Sequence, residues 1–264
     1  MTAWVTVLVF GATAYNQTFV RATEMYGEGD YAKAIELYGQ LVDEGVVHSA
    51  VFYNLGNAYY RSGRLGFAIA NYERVLQLDP GNANAHQNLA QCVAQTQGRL
   101  ARPQPPAWER YLFFWHAGLG PNMTRPAAFL AWVGLWTVLA VRSWRPIRYL
   151  RRAAVLLAIA ALALGASTWV KARPSRMAVA VEDVVPVHYG IGEQETVRFN
   201  LHEGDRVIID RNDGEWARVA VADGDRGWAK LDHLVPVGPP YLSATAQNRP
   251  GARPPEHAGK EAPQ

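Results

Sequence analysis

A long stretch without an acidic side chain constrains this sequence more than any other feature. Residues 110–181 contain ten Lys or Arg and no Asp or Glu, and they include two uncharged apolar runs, residues 126–141 and 153–170. About 20 apolar residues span the ~30 Å hydrocarbon core of a bilayer as a helix. Both runs are slightly shorter, but Trp and Arg at their ends can reach the interfaces. The stretch therefore predicts a transmembrane helical hairpin.

The region between the two runs predicts how this hairpin is oriented. Residues 142–152 carry five Arg in eleven positions, and loops rich in Lys and Arg stay in the cytoplasm. Both flanking regions should then lie outside the cytoplasm. Residues 1–14 agree with export, because they form a short apolar stretch ending in the small residues of a cleavage site. We interpret them as a signal peptide or a retained N-terminal anchor.

Residues 15–102 contain a repeat with a fixed period. Four residues recur 34 positions later: Gly29, Ala34, Ile35 and Tyr38 as Gly63, Ala68, Ile69 and Tyr72. This period with helix-turn-helix patterning is typical of tetratricopeptide (TPR) repeats, and a capping helix from residue 83 to about 97 should follow. Gly56 is expected where paired helices cross closely. An array of two and a half repeats is marginal, so we expect a partner or the membrane to complete it.

Four amide side chains are candidates for a peptide-binding groove. Asn54 and Asn88 are separated by one full repeat period, and Asn57 and Gln91 repeat this offset one turn later. On the first helices of the repeats they would face the concave side, where they could hold a peptide backbone or simply solvate an exposed face. A cationic clamp for a terminal carboxylate is not expected, because the clamp positions are uncharged: Phe19, Thr23, Gln87 and Gln91.

Residues 103–125 link the repeats to the membrane. Three Pro at the start end the capping helix, and an aromatic run follows at residues 108–116. Such a run is typical of a segment lying in the membrane interface, although a docking face against the repeats fits equally well.

Residues 177–236 predict a small all-β domain. About five short alternating strands are separated by turn signals that include Asp-Gly pairs. The segment resembles the bacterial SH3 domain in this series: Leu201, Gly204, Val207, Gly214, Glu215, Trp216, Val219, Asp223, Gly224, Gly227, Trp228 and Leu234. Trp216 and Trp228 are its candidate surface residues, though Trp at such positions is more often core or half-buried rim. Polyproline binding is not expected, because Lys230 and His233 occupy positions of the aromatic shelf. Residues 237–264 are Pro-rich and predict a disordered tail.

The sequence contains no pattern that indicates catalysis, a metal site or a cofactor. Its seven His are scattered, and no nucleotide-binding or nucleophile motif occurs. Cys92, the only Cys, is expected to be a packing residue. Nucleic acid is also a poor partner, because the net charge of +3 comes from the acid-free stretch, and the remaining residues carry 16 basic against 23 acidic side chains.

The order of these segments predicts a multidomain chain: an α-helical TPR solenoid, a two-helix transmembrane hairpin and a small SH3-like barrel. This order resembles the BatE family of bacterial inner-membrane proteins from aerotolerance operons, as do residues 51–80, the YLFFW run and the GEWARV and DGDRGWAKL segments. The resemblance implies a non-enzymatic scaffold in the inner membrane. Its TPR and SH3-like domains would face the periplasm, and its partners would be von Willebrand A (VWA) membrane proteins and a MoxR-type ATPase. An SH3-like domain that binds peptidoglycan is the alternative.

Overall fold

The computed structural model describes residues 2–97, 100, 103, 119–145, 147–171, 175–239 and 241. The first five helices form what we call the repeat array, and the last two form the apolar hairpin. The helices are α1 (Thr2–Glu28), α2 (Tyr31–Asp43), α3 (Ser49–Arg61), α4 (Leu65–Leu78), α5 (Ala83–Gln95), α6 (Pro121–Trp144) and α7 (Arg148–Lys171). Residues 1–14, predicted to be a signal peptide or anchor, fall within or just before α1, and whether they are cleaved stays a prediction.

Two glycines end the first helix of each repeat in the same way. Gly29 and Gly63 have φ values of +85° and +78°, which an L side chain rarely adopts. Gly29 donates its N–H to the carbonyl of Tyr26, and Gly63 donates to the carbonyl of Tyr60. The two donors are one repeat period apart, as are the two acceptors, so α1–α2 and α3–α4 are structural repeats and α5 is the predicted capping helix.

The expected close crossing within the second repeat is also present. A Cβ atom added to Gly56 on α3 would lie 2.9 Å from Cε1 of Tyr72 on α4, a distance at which atoms clash. Tyr72 and Ala68 are fully buried at this crossing, and Tyr59 is 1% exposed. The small residue therefore lets the large ring fill the space between the two helices.

A single antiparallel sheet follows the hairpin. Its strands are β1 (Met177–Ala180), β2 (Val184–His188), β3 (Val197–His202), β4 (Arg206–Asp213), β5 (Trp216–Ala220), β6 (Arg226–Lys230) and β7 (Leu234–Pro236). They are arranged in the order β3-β2-β6-β5-β4-β1-β7. The predicted all-β region is confirmed, but β3 and β7 form the two edges of this order, so the sheet is not closed. The prediction of five strands was wrong, because the first apolar run is divided at residues 181–183 and Leu234–Pro236 adds a short edge.

The sheet packs directly against α4 of the repeat array. Helices α2 and α5 begin with side-chain caps, in which Asp30 accepts from Lys33 N and Asn82 from Ala85 N. Helix α4 has no such cap of its own. Instead Glu203, in the turn between β3 and β4, accepts a 2.7 Å hydrogen bond from Gly66 N. Glu203, 137 residues away in the sequence, thus accepts from a backbone N–H that has no partner within the helix.

Two adjacent charged residues of α4 are buried under the sheet. Glu73 is completely buried and lies 3.2 Å from the guanidinium of Arg206 on β4. Arg74 donates a 2.8 Å hydrogen bond to the carbonyl of Pro236 on β7. Burial lowers the pKa of Arg74 to about 10, which leaves it charged at neutral pH. The sheet therefore completes the short array, a role that the sequence assigned to a partner or the membrane.

The predicted disordered tail, residues 237–264, begins too early. Val237 is fully buried, and the ring of Tyr241 lies 5.0 Å from that of Phe52 on α3. The Arg74 guanidinium lies against both rings, 5.6 Å from the centroid of Phe52 and 5.7 Å from that of Tyr241. These apolar and cation–π contacts order the chain just after β7, and the remaining tail lies outside the described residues.

The helices of the apolar hairpin are longer than the runs 126–141 and 153–170 that predict them. They continue through flanking Arg, so that only residues 145–147 separate them and most of the predicted loop, residues 142–152, is helical. Residues 123–144 and 149–170 are long and apolar enough to cross a bilayer. None of the most apolar window of α6 and 11% of that of α7 is buried. The surface of the hairpin is thus apolar and exposed, unlike that of helices in a soluble core.

The link between the array and the hairpin is only partly described. The predicted interfacial run, residues 108–116, lies outside the described residues. Helix α6 begins at Pro121, inside the predicted linker 103–125. A Cβ atom added to Gly120 would lie 2.5 Å from the carbonyl of Leu78, so α6 starts against the end of α4.

Candidate functional site

The candidate site is a cleft of about 250 Å³ on the side of the array formed by its first helices. Helices α1, α3 and α5 contribute the side chains, whereas α4 is occupied by the sheet. The lining residues are Tyr26, Asn57, Tyr60, Arg61, Asn88 and Gln91. This cleft lies at the surface of the first helices and is lined mainly by polar side chains.

Three of the four predicted groove residues meet in this cleft. Asn57, Asn88 and Gln91 line it, as the repeat offset suggested. Asn54 does not line it. Its side chain is half-buried and lies near the hydroxyl of Tyr38 on α2.

The Asn57 and Asn88 amides are part of a hydrogen-bond network between helices. Asn88 Nδ2 donates to Asn57 Oδ1 at 3.0 Å and to the Tyr53 hydroxyl at 3.2 Å. The Tyr72 hydroxyl donates to the same Asn57 oxygen at 2.7 Å. Burial raises the pKa of Tyr72, so this donor stays protonated at physiological pH. These amides hold α3, α4 and α5 in register, which neither alternative drawn from the sequence anticipated.

Sequence reasoning missed three residues of the cleft, although its own period points to two of them. Tyr26 and Tyr60 are one repeat period apart, at equivalent positions in the two repeats. Arg61 follows Tyr60 in the last turn of α3. The Tyr60 hydroxyl accepts hydrogen bonds from Gln91 Nε2 and Gln95 Nε2, both at 2.9 Å. The Arg61 guanidinium lies 5.3 Å above the ring of Tyr31.

The positions of a terminal-carboxylate clamp carry no charge, and two of them contact α2. The Thr23 hydroxyl lies 2.8 Å from that of Tyr38, and the Phe19 ring packs edge-on against the Tyr38 ring at 5.7 Å. Gln87 is exposed. The first two positions thus join α1 to α2 within the array.

The two Trp of the sheet are half-buried on its outer face. Trp216 on β5 and Trp228 on β6 alternate with buried neighbours such as Ala217 and Ala229. Trp216 lies 5.5 Å from the ring of the buried His188 in an edge-to-face contact. Lys230, paired with Glu193, lies 6.0 Å above the Trp216 ring. The two Trp thus form a rim with basic neighbours instead of an open aromatic shelf.

Nothing in the described part of the chain forms a metal-binding group. No cluster of three or more His, Cys, Asp or Glu occurs among the described residues. Cys92 on α5 is completely buried, and burial raises the pKa of its thiol to about 12. The thiol is therefore protonated at neutral pH and is a poor nucleophile or metal ligand.

Comparisons with known proteins agree on the repeat array. A family model described as a TPR repeat matches residues 56–97. The tetratricopeptide repeat and J domain-containing co-chaperone DNJ1 of Cryptococcus neoformans is 30% identical over 88 residues, which are 33% of this chain. This chain spans 17% of the length of that relative. The predicted TPR repeat is therefore confirmed, and with it a scaffold for protein–protein interaction.

Proposed function

We propose that this protein is a non-enzymatic, membrane-anchored adaptor that binds protein partners in the cleft of its repeat array. The observation that carries this proposal is that the two sides of the array differ. The sheet covers α4 through Glu203, Arg206 and Pro236, whereas the cleft between α1, α3 and α5 is unoccupied by any described part of the chain. A scaffold stabilised on one side and open on the other suits partner binding.

The anchor in this proposal is the apolar hairpin. Exposure of the apolar side chains along α6 and α7 is energetically unfavourable in water and favourable in lipid. The five Arg of residues 142–152, at the facing ends of the two helices, favour a cytoplasmic position for their connection. The repeat array and the sheet, which we propose to be SH3-like, would then face the periplasm from the bacterial inner membrane.

The finer identity rests on the order of segments. Repeats, hairpin and β domain occur in the order of the BatE-like family, so we propose VWA-domain membrane proteins and a MoxR-type ATPase system as partners. The lipid bilayer is the other partner. No cofactor, metal or nucleic acid enters this proposal.

A photoreactive residue in the cleft tests partner binding. We would place a benzoylphenylalanine at Gln91 in the full-length protein in its membrane, and at the exposed Gln40 of α2 as a matched control. Irradiation should join the Gln91 variant, but not the Gln40 variant, to a VWA-domain membrane protein identified by mass spectrometry. The same products from both positions, or none from Gln91, would refute the groove.

Reporter fusions test the orientation separately. An alkaline phosphatase fused after the last residue should be active, because the enzyme needs export. The same enzyme inserted at residues 145–147 should be inactive. The reverse pattern would overturn the proposed topology without bearing on the cleft.

Peptidoglycan binding by the sheet is the second candidate, and the outward position of Trp216 and Trp228 favours it. Full-length protein in detergent should then sediment with purified peptidoglycan. A variant with both Trp replaced by Ala should stay in the supernatant. Sedimentation that is absent from the wild type, or equal in the two proteins, would remove this candidate.

A further inference from the structure

Arg61 is the only charged side chain among the six residues that line the cleft. It is exposed, and no described carboxylate lies within ion-pair distance of it. Its contact is instead the ring of Tyr31, 5.3 Å from the guanidinium carbon. A cation–π contact of this kind positions a guanidinium without neutralising its charge, so the positive charge remains available to a ligand.

Tyr60, next to Arg61, offers a second donor. Its hydroxyl oxygen already accepts from Gln91 Nε2 and Gln95 Nε2. A phenol oxygen has one proton to donate besides its acceptor capacity. With two donors directed at this oxygen, the unused group of Tyr60 is its own O–H. Two neighbouring residues of the cleft therefore offer hydrogen-bond donors, one of them charged.

We propose that this pair recognises the carboxylate of an Asp or Glu side chain within the segment that the array binds. The inference rests on the proposed adaptor function and names the chemistry of its partner. One positive charge and one hydroxyl match a monoanion with two acceptor oxygens. An internal side chain fits better than a chain terminus, because the array lacks further cations at the positions of Phe19, Thr23 and Gln87.

A peptide library tests the charge preference. The probe is a set of decapeptides, acetylated and amidated, with random flanks and Glu, Gln or Lys fixed at the centre. Binding to the full-length protein in nanodiscs should favour Glu over Gln by about tenfold or more, the range for a hydrogen bond between charged groups. A further set with a central Gln and a free C-terminal carboxylate should bind no better than the amidated Gln set.

Matched variants assign the preference to the pair. Arg61→Glu should reverse the preference towards Lys, and Arg61→Gln should abolish it. Arg21→Glu changes the net charge equally, at an exposed position of α1 that does not line the cleft, and should keep the preference. Tyr60→Phe should reduce the preference several-fold by removing only the hydroxyl. Thermal unfolding of each variant shows whether the array is folded. If Arg61→Glu does not fold, Arg61→Gln alone tests the role of the positive charge.

Several outcomes would overturn the inference. Equal binding of the Glu and Gln sets, binding of neither set, a preference unchanged in Arg61→Gln, or tighter binding of the free carboxylate set would each do so. If the photoreactive Gln91 variant still captures its partner in these cases, the adaptor function stands and only the acidic-segment inference fails. Loss of that crosslink as well would refute both.

Discussion

The ion pair between Glu73 and Arg206 gives the sharpest test of how the sheet and the array are joined. Glu73 Oε1 lies 3.2 Å from Arg206 Nη1, and the side chains are 0% and 12% exposed. We consider three variants: Glu73→Met, Arg206→Met and the double replacement. Each single change leaves one charge without this partner under the sheet, whereas the double change leaves neither charge.

The magnitudes follow from burial. Removing one partner of a buried ion pair costs about 3–5 kcal/mol, while replacing both by apolar residues of similar size is often neutral or stabilising. The two single variants should differ, because Glu73 cannot reach water whereas Arg206 keeps part of its side chain exposed. We therefore expect Arg206→Met to weaken docking by about 5 kcal/mol and Glu73→Met by about 3 kcal/mol, the two ends of this range. The double variant should be less damaged than either.

Hydrogen exchange of the full-length protein in nanodiscs measures this coupling. A loss of about 3–5 kcal/mol should speed exchange of protected amides in α4 and β4 by roughly 10²–10³·⁵-fold. The exposed pair of Lys33 and Glu36, 2.8 Å apart, is the control, since Lys33→Met should cost less than about 1 kcal/mol. Damage in the double variant equal to the sum of the single changes, or a larger loss for Glu73→Met, would refute the reasoning.

Three further predictions concern packing, pH and the thiol. Gly56→Ala should lower stability by about 1–3 kcal/mol in thermal unfolding, because its Cβ would clash with Tyr72. Gly27→Ala, in open space on α1, should not destabilise. Burial raises the pKa of Glu203 above 4.5. The contribution of Glu203 to docking stability is therefore greatest at low pH and is lost as the pH rises through this raised pKa. Glu203→Gln should make the docking stability, measured by hydrogen exchange at several pH values, less dependent on pH. Cys92 should resist iodoacetamide at neutral pH in native protein and react fully in denaturant, as measured by mass spectrometry; equal labelling in both would contradict its burial.

The repeat array could be predicted from sequence because its constraints are local and recur. Gly29 and Gly63 occupy the same left-handed turn, and Gly56 must be small for Tyr72 to fit. Each requirement acts within one helical hairpin, so the residue types alone reveal it. The ends of α6 and α7 were harder to predict, because a helix can continue into polar flanks that hydropathy excludes.

The docking of the sheet on α4 could not be predicted in the same way. Glu73 and Arg74 are charged residues on a helix, and the usual expectation is a solvated face. Their partners, Arg206 and Pro236, lie far away along the chain, on the other side of the apolar hairpin. A single sequence carries no signal for such a pairing. The cleft shows the same limit, because the repeat offset suggested peptide binding or an exposed polar face for Asn57 and Asn88 and gave no signal for their mutual hydrogen bond.

This docking bears on the proposed topology independently of the Arg-rich segment 142–152. The array precedes the hairpin in the chain and the sheet follows it, yet Glu73 and Arg206 touch. If α6 crosses the bilayer, α7 must cross back for these side chains to meet. An insertion-defective α7 would separate the two partners, leaving Glu73 buried on α4 without this ion pair. We therefore expect charged substitutions in the apolar part of α7, such as Leu162→Arg, to speed exchange in α4 as strongly as Arg206→Met does. If the C-terminal reporter is inactive in such a variant but hydrogen exchange in α4 is unchanged, the array does not need the sheet.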